Sequence, residues 1–146
     1  MIKSNELMLG DYVLVSGTPR RVESITKKKI GYHINPQTDK RLYYAGLLDV
    51  EPIEVTKEML EQNGFGTKGM TTIYFLEGEL PDDFIWNITL DLRYRVVDVI
   101  LWKRIQPKDS TYDDLVTQRK VFVKSLYIHQ LQQACRMCRI KIDWKL

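Results

Sequence analysis

Large apolar residues occupy every second position from residue 84 to residue 92, in the order Phe84, Trp86, Ile88, Leu90 and Leu92. This alternation predicts a β-strand with one apolar face. We expect a strand before it at 71–77, another at 94–105 and a fourth at about 119–125, which together form an antiparallel meander. The segment 94–105 is nearly continuous in apolar residues, so we expect it to be central and covered on both faces.

The periodicity changes near residue 127. Spacings of i, i+3, i+7 and i+10 predict one apolar face of a helix over about 127–139, formed by Ile128, Leu131, Cys135 and Cys138. Beyond the helix, apolar and polar residues alternate again over 140–145, which predicts that the segment forms a short strand.

The first 55 residues contain five short β-rich runs, at 11–15, 20–26, 30–34, 40–45 and 50–55, with turn residues between them. Short strands at this spacing are typical of a small closed or half-closed barrel, and we predict an SH3-like barrel. A short helix follows, with Thr56 as its N-cap and Gly64 at its C-terminal end.

These elements predict an α+β protein in two parts. Residues 1–55 form a small SH3-like β-barrel, and residues 56–146 form an α+β unit in which the antiparallel meander packs with the C-terminal helix. A length of 146 residues is about one domain's worth. One compact domain overall is therefore the alternative to two units.

Composition narrows the class of protein. Apolar residues make up 44% and charged residues 28%, as in folded globular chains, which argues against disorder. The longest apolar stretch, 96–102, is too short to span a bilayer. The start of the chain is polar where a secretory signal needs an apolar segment, so we expect a cytoplasmic location and no membrane partner.

Charge is distributed unevenly along the chain. Residues 1–41 carry eight Lys/Arg and four Asp/Glu, residues 42–116 carry seven and fourteen, and residues 117–146 carry seven and one, for a net charge of +3. Either the basic and acidic surfaces pair with each other or face water, or one basic face binds a polyanion.

Three segments in this order resemble a family of small proteins found widely in Bacteroidetes, often encoded near phage or mobile-element genes. They are NELMLGDYV at 5–13, VEPIEVT at 50–56 leading to NGF at 63–65, and YIHQLQ at 127–132. The chain departs from the family after the last segment, where Cys135–Arg139 replaces aromatic residues. The resemblance implies a phage or mobile-element setting and no particular activity.

The strongest nucleic-acid signal is a basic cluster in the first part of the chain. It consists of Arg20, Arg21, Lys27, Lys28 and Lys29. Tyr32, Tyr43 and Tyr44 are near it in sequence. Lysine and arginine supply phosphate contacts and tyrosines stack on bases. The competing interpretation is a half-buried tyrosine core with lysines that protect the edges of the sheet.

A polar strip on the predicted late helix is the candidate partner-binding site. Its members are His129, Gln132, Gln133 and Arg136. Such a strip can bind a partner or a phosphate, and it is also what an ordinary solvated helix face looks like.

The pair Cys135 and Cys138 has the spacing of a metal or redox motif, but the sequence lacks a second cysteine pair to complete a zinc site. Redox pairs sit at helix N-termini, whereas this one is near a predicted C-terminus. We therefore interpret both as buried thiols, and we predict no metal, no cofactor and no catalytic residue.

Three functions compete. The first is a non-enzymatic binding module of a phage or mobile element that contacts nucleic acid through the basic turns. The second is a protein-interaction or structural accessory factor that binds a host or phage protein through the acidic middle or the His129 strip. The third is an enzyme that uses His129 with Asp98 or a cysteine.

Overall fold

The computed structural model describes residues 2–67, 69, 72–106, 114–124 and 126–146. The chain divides into two compact units. The first unit comprises Met1–Glu54, Tyr127–Gln133 and Leu146, and the second comprises Val55–Leu126 and Ala134–Lys145. The α+β class predicted from the sequence is confirmed, since the described residues form antiparallel sheets and a late helix.

The first unit contains two antiparallel three-stranded sheets. In one, β1 lies between β2 and β6; in the other, β4 lies between β3 and β5. The strands are β1 (Tyr12–Val15), β2 (Thr18–Arg21), β3 (Ser24–Ile25), β4 (Lys29–Tyr32), β5 (Tyr43–Gly46) and β6 (Val50–Glu51). No closed barrel is present among the described residues.

The predicted strand at 20–26 is divided between the two sheets. Val22 donates its N–H to the carbonyl of Asp11 at 2.8 Å, whereas the next residue, Glu23, donates to the carbonyl of Gly31 at 2.8 Å. Consecutive residues therefore bond to different sheets, and the chain turns a corner between them. Val22 is fully buried at that corner, with Val13, Val15 and Ile30 in the same core cluster.

The second unit is built on a four-stranded antiparallel sheet in the order β10-β9-β8-β7. Its strands are β7 (Ile73–Leu80), β8 (Phe84–Asp91), β9 (Val96–Ile105) and β10 (Asp114–Lys124). Consecutive strands are neighbours, so the predicted meander is confirmed.

One expectation about this sheet is wrong. β9 is central, but only one of its faces is buried, through Val97, Val99 and Leu101. The alternate residues, including Ile100 and Trp102, are half-buried. An apolar run read from sequence cannot distinguish a strand covered on both faces from one whose outer face is also apolar.

Two α-helices, and two 3-10 helices at Ser4–Glu6 and Leu47–Asp49, complete the part of the fold that the structure describes. In α1 (Lys57–Gln62), the Thr56 side chain accepts a hydrogen bond from the Met59 N–H, and Gly64 follows the helix at φ 85°, as predicted. The late helix, α2, spans Ile128–Met137. Beyond it, the Cys138 thiol lies 3.8 Å from the carbonyl oxygen of Val99 in the second unit's sheet.

The short strand predicted at 140–145 does not form. Lys145 donates its N–H to Oδ1 of Asn63 at 2.8 Å, and Asn63 Nδ2 donates to the Lys145 carbonyl at 3.0 Å. Trp144 lies against Phe65, with ring centroids 6.3 Å apart. A side-chain amide therefore supplies the hydrogen bonds that a neighbouring strand would have supplied.

Candidate nucleic-acid interface

Three consecutive lysines, Lys27, Lys28 and Lys29, are exposed at the tight turn between β3 and β4. The Thr26 hydroxyl accepts hydrogen bonds from the N–H groups of Lys28 at 3.4 Å and Lys29 at 3.1 Å. The Thr26 N–H donates to the Lys29 carbonyl at 2.9 Å. These local bonds fix the backbone of the turn and leave the three ammonium groups at the surface.

Tyr44 is the aromatic side chain next to this turn. The β4–β5 register pairs Tyr44 with Gly31, and Tyr44 is 53% exposed. The Lys29 ammonium lies 4.2 Å from the ring centroid, a cation–π contact. Together, Lys27, Lys28, Lys29 and Tyr44 form what we call the lysine–tyrosine surface.

Gly31, the residue paired with Tyr44, has close side-chain neighbours. A Cβ on Gly31 would lie 2.9 Å from Leu42 Cδ2, and closer still to the Ser24 hydroxyl. A larger residue at this position would therefore force the Ser24 and Leu42 side chains to move.

The other two tyrosines belong to a separate network. Tyr32 and Tyr43 pair on the face of the hairpin that packs on the core, with ring centroids 6.3 Å apart. Tyr43 donates its hydroxyl to Asp39 at 2.9 Å, and Arg41 donates to both oxygens of the same carboxylate at 3.1 and 3.2 Å.

The electrostatics of this network follow from those bonds. The pKa of Asp39 is lowered, chiefly by the Arg41 backbone N–H and then by its side chain. The pKa of Tyr43 is raised, mainly because its hydroxyl donates to Asp39. The network holds the loop between β4 and β5 and does not present a free tyrosine ring.

The two arginines of the predicted cluster contact different residues from those that the lysine turn contacts. Arg20 lies over the Tyr32 ring at 5.6 Å and donates to the Ile34 carbonyl at 3.2 Å. Arg21 pairs with Glu23 at 3.6 Å. The predicted cluster is therefore divided among three sets of contacts, and of its members Lys29 is the one that contacts the exposed Tyr44.

The expectation that the His129 strip is a solvated face is wrong. His129 is only 3% exposed and Gln132 only 6% exposed, and both belong to the first unit. Gln132 accepts from the Tyr12 N–H at 2.8 Å and donates to the Gly10 carbonyl at 3.3 Å. These amide atoms satisfy the backbone at the start of β1, so they are not available to a partner.

The remaining members of the strip are also not an open binding face. Gln133 donates to the Asp11 carboxylate at 2.7 Å and to the Glu6 carbonyl at 2.9 Å. Arg136 is half-buried and lies in the second unit. Sequence periodicity shows that these polar residues share one helix face. It does not show that nearby loop backbone groups use their side chains as hydrogen-bond partners.

His129 has the surroundings of a buried structural histidine. Its ring stacks on Tyr127 at 6.0 Å with an interplanar angle of 8°, and its Nδ1 has no hydrogen-bond partner within the described chain. The pKa of His129 is lowered, mainly by burial, against a smaller opposing effect of Asp11 and Glu6. The neutral imidazole is therefore the form that the folded state favours.

This environment predicts that acid destabilises the fold. Because the unfolded chain has the higher histidine pKa, it binds more protons as the pH falls below the ordinary value of 6.5, and the free energy of unfolding decreases. Urea unfolding between pH 7.5 and about 5.5 measures this loss. The His129→Asn variant should show a flatter pH dependence; an equal slope in both proteins would contradict the assignment.

The two cysteines are buried thiols, as interpreted from sequence. Burial raises the pKa of Cys135 to about 12, and it also raises that of Cys138. A thiolate is therefore disfavoured at both positions near neutral pH, whereas nucleophilic and metal-binding cysteines require one.

The chain has no significant match to protein-family models, to curated proteins or to solved structures. In the part of the chain that the structure describes, no group of three or more His, Cys, Asp and Glu could hold a metal ion. Within the same residues, no helix is long and apolar enough to cross a membrane.

Proposed function

We propose that the chain is a non-enzymatic nucleic-acid-binding module that holds a single strand on the lysine–tyrosine surface. The observation that carries this proposal is the contact between Tyr44, which is 53% exposed, and the ammonium of Lys29, the last of three consecutive surface lysines. A stacking ring next to several cations is the combination that single-strand binders use.

The lysines supply affinity that does not depend on sequence. Each ammonium that meets a phosphate releases condensed counterions, so binding weakens as salt increases. The turn presents Lys27, Lys28 and Lys29 with their backbone already ordered by Thr26. Binding therefore costs less ordering of the protein backbone than it would in a flexible basic tail.

Tyr44 supplies the preference for a single strand. In the free protein the Lys29 ammonium covers the ring at 4.2 Å. An incoming base takes that position on the ring, and Lys29 moves to a neighbouring phosphate. Bases inside a duplex are stacked on each other and cannot reach the ring, so a duplex gains the phosphate contacts alone.

We also propose a phage or mobile-element setting, which the three-segment resemblance supports. The proposal of an SH3-like unit is supported by the corner at Val22 between two small sheets, which is how a half-open barrel would be built. The second candidate is a protein-interaction function through the acidic middle of the chain. The outer face of the second unit's sheet, which carries the exposed Glu77 and Glu79, supports it.

The lysine turn gives the first test. Replacing Lys27, Lys28 and Lys29 together with alanine should weaken binding of a fluorescent single-stranded oligonucleotide by about 10- to 100-fold at low salt and reduce the salt slope by roughly 2–3. The matched control replaces Lys57, Lys141 and Lys145, which are exposed lysines of the second unit. Equal losses in both triple variants would show that only total charge matters and would contradict the proposed surface.

The ring gives the second test. Tyr44→Ala should weaken single-strand binding by about 1–3 kcal/mol, whereas Tyr44→Phe keeps the stacking surface and should bind almost as the parent does. Fluorescence titrations of both variants with single-stranded and duplex oligonucleotides measure the difference. An alanine variant that loses affinity for duplex and single strand alike would argue against stacking on Tyr44.

A further inference from the structure

The sheet of the second unit has an outer face that lies opposite its buried face. Its residues alternate with the buried ones along β7–β10, and the strand register arranges them in rows across the sheet. One row contains Glu77, Asn87, Ile100 and Lys120; the next contains Glu79, Ile85, Trp102 and Thr117; the row on the other side contains Phe75, Thr89, Asp98 and Phe122. We call these three rows the open face.

The open face has a group of apolar side chains near its middle, beside Asn87, Thr89 and Asp98, and opposite charges at its two sides. Ile85, Ile100 and Trp102 on the central strands are half-buried, and Phe122 on β10 is 52% exposed. Glu77 and Glu79 are exposed on β7, whereas Lys120 is exposed on β10. An acidic side, a partly apolar centre and a basic side therefore follow one another across the same surface. Within the chain, Glu79 also pairs with Arg104 at 3.7 Å and Lys120 with Asp98 at 3.6 Å.

Such a surface is complementary to itself. A two-fold axis parallel to the strands places β7 over β10 of a second copy and β8 over β9, while each row stays opposite the same row. Glu77 then faces Lys120 of the partner subunit, Ile85 faces Trp102 of the partner subunit, and Phe75 faces Phe122 of the partner subunit. A two-fold axis across the strands would instead place acid over acid, so charge selects the first arrangement.

We propose that two copies of this chain pair face to face through the open face, as a sheet-on-sheet sandwich. The three rows span four strands about 4.8 Å apart and roughly six residues of about 3.3 Å each along the strands, a projected area on the order of 400 Å². Exposed apolar groups rimmed by polar residues are typical of interaction sites.

Asp98 also lies on the open face. Its side chain is 37% exposed, and its Oδ1 pairs with the Lys120 ammonium at 3.6 Å. In the proposed pairing, the Asp98 position lies opposite Thr89 of the partner subunit.

The test is a charge exchange followed by sedimentation velocity on the full chain over a concentration series. Because the interface is two-fold, each subunit contributes one Glu77 and one Lys120 to it. Glu77→Lys and Lys120→Glu should each weaken the dimer by about tenfold or more, since two attractive pairs become repulsive. A mixture of equal amounts of the two variants should restore it, because both pairs in the mixed dimer again join opposite charges.

The mixture also separates assembly from folding. Lys120→Glu places a carboxylate near Asp98, so thermal unfolding of each variant is measured first, but misfolding cannot be rescued by mixing. Glu58→Lys and Lys141→Glu, at exposed sites away from the sheet, are the matched controls and should leave the dimer unchanged. A parent chain that stays monomeric at every concentration, or a mixture no more associated than its components, would overturn the proposal.

Discussion

Replacing Gln132 with leucine is expected to lower the free energy of unfolding by about 2–4 kcal/mol. The amide of Gln132 accepts from the Tyr12 N–H at 2.8 Å and donates to the Gly10 carbonyl at 3.3 Å. Leucine has a similar size but no polar atoms, so both backbone groups would lose their partner in a buried position. Urea unfolding at neutral pH measures the loss.

The control for this prediction is Gln37→Leu, because Gln37 is exposed in a loop of the same unit. It should change the free energy of unfolding by less than about 0.5 kcal/mol. If Gln132→Leu is as stable as the parent chain, burial of the leucine side chain stabilises the fold as much as both hydrogen bonds do. Gln132 would then not hold the start of β1.

Gly78→Ala is expected to have the second large effect, a loss of about 1–3 kcal/mol. Gly78 is paired with Trp86 across β7 and β8, and a Cβ at Gly78 would lie 2.5 Å from Cζ2 and 2.7 Å from Cε2 of the indole. The indole is rigid, so the whole side chain must move to admit one methyl group. Thermal unfolding of the variant measures the cost.

Two variants sharpen this second prediction. Gly66→Ala is the matched control, because a Cβ there meets nothing within 4 Å, and it should be close to neutral. The double variant Gly78→Ala with Trp86→Leu should lose less than the sum of its two parts, since the smaller side chain leaves room for the methyl group. Additive losses would show that Gly78 matters for its backbone conformation rather than for the indole.

Sequence periodicity was sufficient for the parts of the fold that depend on local pattern. The alternation after Phe84 gave the correct meander, and Thr56 with Gly64 gave the correct limits of α1. These signals are local because a strand face and a helix cap are each decided by a few neighbouring residues.

Apart from the outer face of β9, the errors concern hydrogen-bond partners that lie outside the element itself. The division of 20–26 at Val22 depends on which sheet each backbone group finds, and the loss of the 140–145 strand depends on Asn63, 82 residues before Lys145. His129 and Gln132 looked solvated because nothing in the helix itself shows that residues 10–12 lie against it.

The same limit applies to the candidate site. The three lysines of the β3–β4 turn were identified from sequence, but all three nearby tyrosines were equal candidates there. Only the strand register shows that Tyr44 is paired with Gly31 on the outer face, whereas Tyr32 and Tyr43 pair with each other toward the core. The open face of the second unit could not be predicted from sequence for a related reason. Which residues share that face depends on the register of four strands.

The most direct measurement of the proposed function is a titration of the purified chain with fluorescent single-stranded and double-stranded DNA and RNA at two salt concentrations. The lysine–tyrosine surface predicts micromolar or tighter binding that weakens steeply with salt, with the single strand bound more tightly than the duplex of equal length. The absence of binding to every probe at low salt would contradict it.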